Sequence, residues 1–137
     1  MYSINFLPIL ISSVVAFGLG AFWYSPFIFG REWMTLTKIS KSDMMATQAK
    51  GVWKSYLIQF IATFVTFAVL GFLISASGAN SAADGAFLGI IVWIGFVLTD
   101  ASGALLWERK PMKLILINTT ITLMTLLVGG AIIGAWR

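Results

Sequence analysis

Along this 137-residue chain, long unbroken apolar runs alternate with short polar intervals. The runs cover residues 4–29, 55–77, 85–107 and 114–135, and the intervals between them are 30–54, "SGANSAAD" and 108–113. Each run reaches or exceeds the ~20 residues that a helix needs to cross a hydrocarbon core of ~30 Å. The runs are continuously apolar, whereas barrel strands are shorter and alternate between two faces. The pattern therefore predicts an all-α integral membrane four-helix bundle, a single transmembrane domain over residues 1–137.

The interval 30–54 carries a pattern of its own. Trp33, Met34 and Leu36 beside Arg31 and Lys38 predict a short interfacial segment, and Ser40 followed by Asp43 has the spacing of a helix cap, opening a helix through about Lys50. This is the expected short amphipathic helix of the first loop.

Charge orients the bundle. Arg31, Lys38, Lys41, Lys50 and Lys54 lie between the first two runs, and Arg109, Lys110 and Lys113 between the last two, whereas "SGANSAAD" has no basic residue. The positive-inside rule then makes loops 30–54 and 108–113 cytoplasmic and puts both termini on the outer side, as in a bacterial cytoplasmic (inner) membrane. The net charge of +4 reflects this topology and contact with membrane lipid headgroups. No nucleic-acid partner is expected, because the basic residues are confined to loops beside spans.

With only 10% charged residues, and neither cysteine nor histidine, the chain has few groups capable of chemistry. Thiol chemistry, disulfides, histidine-ligated metals and a histidine general base are all excluded, so no metal and no cofactor are expected. The five acids are Glu32, Asp43, Asp84, Asp100 and Glu108. Asp100 and Glu108 are ~12 Å apart by helical rise, too far for a carboxylate pair. Serines occur without a histidine partner, and no phosphate-cradling glycine loop is present. The chain does not read as an enzyme.

Asp100 is the one carboxylate well inside a run. Its distance from Trp107 puts it ~10 Å below the boundary, where an ionised and unpaired acid costs several kcal/mol. Measured from the basic loops, Tyr24, Ser25, Gln59, Asn118, Thr119 and Thr120 lie at depths of ~7 to 11 Å, and Thr99 adjoins Asp100. All four spans thus offer polar groups to one layer in the cytoplasmic half. Pro26 removes a backbone donor, so a kink is expected there, with the carbonyl of Phe22 left to find another partner.

Two kinds of residue bear on packing. Small residues recur at spacings near four: Ser12, Ala16 and Gly20; Gly85 and Gly89, then Gly95, Thr99 and Gly103; Gly130 and Gly134. Such stripes let helix backbones approach closely, within a subunit or in a homo-oligomer. Trp33, Trp53, Tyr56, Trp107 and Trp136 sit near predicted helix ends as interfacial anchors, while Trp23 and Trp93 lie deeper as packing residues.

The segments "GAFWYSPFIFGREW" and "LLWERKPMKLILIN" resemble those of domain-of-unknown-function family 1761, a bacterial family of small four-span membrane proteins, and the resemblance covers essentially the whole chain. It implies an integral membrane protein and no established reaction or substrate, so no functional residue is carried over. Members of that family often carry a histidine in the last span near Thr122, where this chain has none.

The leading expectation is a non-enzymatic structural or binding role, with the polar layer around Asp100 holding the bundle together. The alternative is a proton-coupled carrier or channel for a small solute, with Asp100 as proton site, Tyr24, Gln59 and Asn118 as ligands and Pro26 as a flexible point. A protein partner at loop 30–54 is left open.

Overall fold

A computed structural model describes residues 4–136, and every regular element among them is helical. The helices are α1 (Phe6–Trp23), α2 (Gly30–Thr37), α3 (Lys41–Ala49), α4 (Trp53–Ser77), α5 (Ala82–Leu106) and α6 (Met112–Ala135). Four of these, α1, α4, α5 and α6, are long and apolar enough to cross a membrane. Helix α5 contains a π-helical segment, Trp93–Leu98, between two α-helical halves.

Local chemistry sets the helix ends. The Asn5 side chain accepts from the Leu7 amide to open α1, and Ser81 accepts from the Asp84 amide to open α5. Pro111 precedes the first turn of α6, where its missing donor costs nothing. Helix α3 opens on a reciprocal cap: the Asp43 amide donates to Ser40 Oγ at 3.1 Å and the Ser40 amide donates to the Asp43 carboxylate at 3.0 Å. First the Ser40 backbone bond and then its hydroxyl hold the Asp43 carboxyl below its usual range.

The first span is shorter than its apolar run. The Tyr24 amide makes the last helical bond, to Gly20 O at 3.0 Å, and the Ser25 amide then turns back to Phe22 O at 3.1 Å. Pro26 therefore lies in the turn that ends α1 rather than at a kink in a longer helix, and the Phe22 carbonyl already has its donor.

Helix α6 is the centre of the bundle and touches α1, α4 and α5. Its most extensive contact is with the first half of α5, where glycines put backbone against backbone. A Cβ on Gly85 would strike the carbonyl oxygen of Gly130, one on Gly89 that of Leu126, and one on Gly134 that of Ser81. In lipid, where apolar surface alone drives no association, this close approach supplies the van der Waals contact that holds two helices together.

The core lies toward the end away from the basic loops. Ile9 and Ala16 of α1, Phe67, Leu70 and Ile74 of α4, and Leu126 and Ile133 of α6 meet there. The Phe67 ring fills the space that a side chain at Gly129 would need. Ser12 Oγ donates to the Gly129 carbonyl at 3.4 Å. Rings tie α1 to α4 along their length, Phe6 stacking on Phe64 and Phe17 meeting Tyr56 and Phe60 edge-on.

At the basic-loop end the bundle opens. Residues 53–59 of α4 are all exposed, and the second half of α5 packs chiefly on α6.

Candidate functional site

The turn after α1 is a compact unit made by the sequence "WYSPFIFG". Ile28 and Gly30 both donate their amides to Ser25 O, at 3.1 and 2.9 Å, and Phe29 donates to Trp23 O at 3.1 Å. Gly30 is buried against the backbone of Tyr24 and Ser25, so a Cβ there would strike the Tyr24 carbonyl. The rings of Trp23 and Phe29 meet at 4.6 Å and those of Tyr24 and Trp33 at 5.9 Å. The aromatic and glycine residues of this stretch thus mostly contact each other, which starts α2 in one fixed direction.

The same unit docks on α6. Trp23 Nε1 donates to the Ile117 carbonyl at 3.0 Å, and Tyr24 Oη donates to Asn118 Oδ1 at 2.7 Å. At the loop surface Lys113 Nζ meets the Glu32 carboxylate at 2.8 Å. Three polar links therefore join "GAFWYSPFIFGREW" to "LLWERKPMKLILIN", each between residues more than eighty positions apart in the chain. From the other side Trp93 Nε1 donates to the Thr119 carbonyl at 2.8 Å. Two indoles thus clamp one turn of α6 from two neighbouring elements.

Sequence reasoning placed Trp23 and Trp93 as packing residues and missed these bonds. The signal was present: an indole N–H inside an apolar span needs an acceptor, and helix carbonyls have a second lone pair to offer.

The structure brings together only part of the expected polar layer. Tyr24 and Asn118 bond directly. Thr119 is buried, its hydroxyl returning to Ile115 O at 2.7 Å, and Thr120 is half-buried. Ser25 Oγ is enclosed with no hydrogen-bond partner among the described residues. Gln59 and Asp100 are exposed on α4 and α5, and neither side chain meets a hydrogen-bond partner among the described residues. The Thr99 hydroxyl is occupied by Gly95 O at 2.7 Å.

The π segment accounts for the position of Asp100. On a plain α-helix, position 100 would fall about 20° from the stripe of Gly89, which faces α6. A π turn holds roughly one extra residue and rotates everything beyond it by about 100°. Val97 and Ala101 accordingly follow Trp93 onto the partly buried face, while Phe96 and Asp100 are exposed.

The small residues divide along the same line. Gly85, Gly89, Gly130 and Gly134 are in backbone contact, whereas a Cβ at Gly20, Gly95 or Gly103 would meet nothing within 4 Å. Two cavities stand out among the described residues, and Asp100 lines neither. One, of about 280 Å³, lies at the end away from the basic loops between Asn5, Pro8, Gly71, Ile133 and Trp136. The other, of about 220 Å³, lies between α2 and α6. No group of three or more acids able to hold a metal occurs among the described residues.

No curated protein and no solved structure matches the chain. A family model described as "Protein of unknown function (DUF1761)" matches residues 7–134. The match spans all four apolar helices as well as both segments that meet at the Tyr24–Asn118 bond. The chain belongs to the DUF1761 family of proteins of unknown function.

Proposed function

We propose that this is a non-enzymatic membrane protein that works by association within the bilayer, a second copy docking on the open face of α5. Asp100 carries the reading: the one acid deep in a span is exposed and its side chain has no partner among the described residues. An unpaired carboxylate at that depth costs several kcal/mol, a cost that a neighbouring chain offering a hydrogen bond removes. Gly95 and Gly103 leave that half of α5 uncovered at backbone level, which is the surface that close helix contact requires. The distribution of Lys and Arg supports a bacterial inner membrane with both basic loops cytoplasmic and both termini outside. A carrier using Asp100 lacks comparable support, since neither cavity reaches that residue.

The test is single-molecule subunit counting in lipid vesicles over a dilution series. Wild type is expected to remain paired on dilution, and Gly103→Leu and Asp100→Leu to dissociate at a protein-to-lipid ratio at least about tenfold higher, the equivalent of one lost contact of ~1.4 kcal/mol. Wild-type protein that is monomeric at every dilution would refute the reading, as would pairs that both variants leave unchanged.

A further inference from the structure

The cavity between α2 and α6 differs from the other in its chemistry. It is lined by Arg31, Glu32, Thr35, Leu36 and Lys113 and has a volume of about 220 Å³. Its lining surface is mostly apolar, and the residues around it bring two cations and one carboxylate. Lys113 is the second residue of α6, so the cleft lies at the level where a bilayer places its phosphates. Several contacts already described hold it in shape. Gly30, wedged against the backbone of Tyr24 and Ser25, fixes where α2 begins, and the Thr35 hydroxyl bonds back to Arg31 O at 3.0 Å.

The charges in the cleft do not cancel. Glu32 holds one face of the Lys113 ammonium at 2.8 Å, leaving its other protons available. Arg31 has no ion-pair partner among the described residues. The cleft therefore presents a free guanidinium fork and a half-engaged ammonium, one positive charge in excess, beside an apolar wall. A group with one negative charge, two bare oxygens and an apolar continuation matches that set.

We propose that the α2–α6 cleft is a binding site for one anionic phospholipid, with the phosphodiester on Arg31 and Lys113 and the glycerol backbone against Leu36. Glu32 sets the selectivity: by taking up half of Lys113 it leaves a site matched to a singly charged diester rather than to a doubly charged monoester. The proposal is independent of association through α5, because the cleft uses no residue of that helix.

The experiment measures retention of phosphatidylglycerol by the full chain in detergent micelles, by native mass spectrometry, with phosphatidylcholine as the neutral comparison. One phosphatidylglycerol per chain is expected. Arg31→Gln should weaken it about fivefold, the effect of one cation at a membrane surface. Lys50→Gln removes the same charge from the exposed end of α3 and should leave retention within about twofold. Glu32→Gln, which releases Lys113, should tighten binding. Equal retention in Arg31→Gln and wild type would overturn the site, and so would equal losses in Arg31→Gln and Lys50→Gln, which would mean diffuse charge attraction. Displacement of the lipid by millimolar inorganic phosphate would also overturn it, in favour of a small soluble anion. Unchanged thermal melting of Arg31→Gln separates lost binding from lost fold.

Discussion

Adding one methyl group at Gly85 tests whether backbone contact between α5 and α6 holds this bundle together. The new Cβ would land on the carbonyl oxygen of Gly130, with that carbonyl carbon at 2.8 Å and Gly134 Cα at 3.1 Å. Ordinary contact begins near 3.4 Å, and all these atoms belong to helix backbone, which cannot rotate aside as a side chain can. The helices must part by an amount on the order of 1 Å, and a gap of that size forfeits about a quarter to a half of each neighbouring dispersion contact. Overpacking of this kind costs about 1–3 kcal/mol, and more where nothing can yield. Replacing glycine within a helix returns about 0.5–1 kcal/mol. The net expectation for Gly85→Ala is a loss of about 1–2 kcal/mol. Gly20→Ala, whose methyl meets nothing within 4 Å, gains only the propensity term of about 0.5–1 kcal/mol. Unfolding in mixed micelles, titrated with a denaturing detergent and followed by tryptophan fluorescence, separates the two variants. Gly85→Ala combined with Gly130→Ala should lose less than the sum of the single changes, because both force the same separation. A Gly85→Ala protein as stable as Gly20→Ala would refute the reasoning.

Two further outcomes follow from bonds described above. Trp23→Phe and Trp93→Phe each remove one indole donor to α6 while keeping a ring, and each should cost about 0.6–2 kcal/mol in the same unfolding assay; no change in either variant would mean that the indoles only fill space. The cap of α3 should respond to acid. Asp43 has a depressed folded pKa, so its contribution is complete above the ordinary carboxylate value of 3.8 and is lost as pH falls through the lower folded value. Protection of the α3 amides, taken relative to the intrinsic exchange rate at each pH, should therefore fall at the bottom of that window in wild type and be lower already at neutral pH in Ser40→Ala, and equal protection in the two proteins at neutral pH would count against the cap.

The fold was largely legible because its strongest determinant, the length of apolar runs, is a property of the chain alone. The capped helix after Ser40 was legible for the same reason: its two reciprocal bonds lie within four residues. What could not be read was angular. A polar layer was expected because depth can be counted from the ends of a span, but depth does not fix direction. The π segment adds about one residue to a turn and changes which side chains face α6, and nothing in "WIGFVLTD" marks that choice. The stop of α1 at Trp23 was obscured differently. Phe27, Ile28 and Phe29 continue the apolar run after Pro26, yet the Ile28 and Phe29 amides are spent on a turn rather than on a helix. Hydropathy measures side chains, whereas this boundary was set by main-chain hydrogen bonds.

The early stop of α1 also sets a length difference across the bundle. With 18 residues α1 is ~27 Å long, against ~37 Å for the 25 residues of α4 and ~36 Å for the 24 of α6. A hydrocarbon core of ~30 Å is too thick for the first and too thin for the others unless they tilt. Phe27, 91% exposed within the turn, can make up only part of the shortfall. Beside α1 the bilayer is expected to be drawn thin, while tilt lets the longer helices fit the ordinary thickness. Lipids with short chains should then gather on the α1 side, where they match the shorter span without deforming the bilayer.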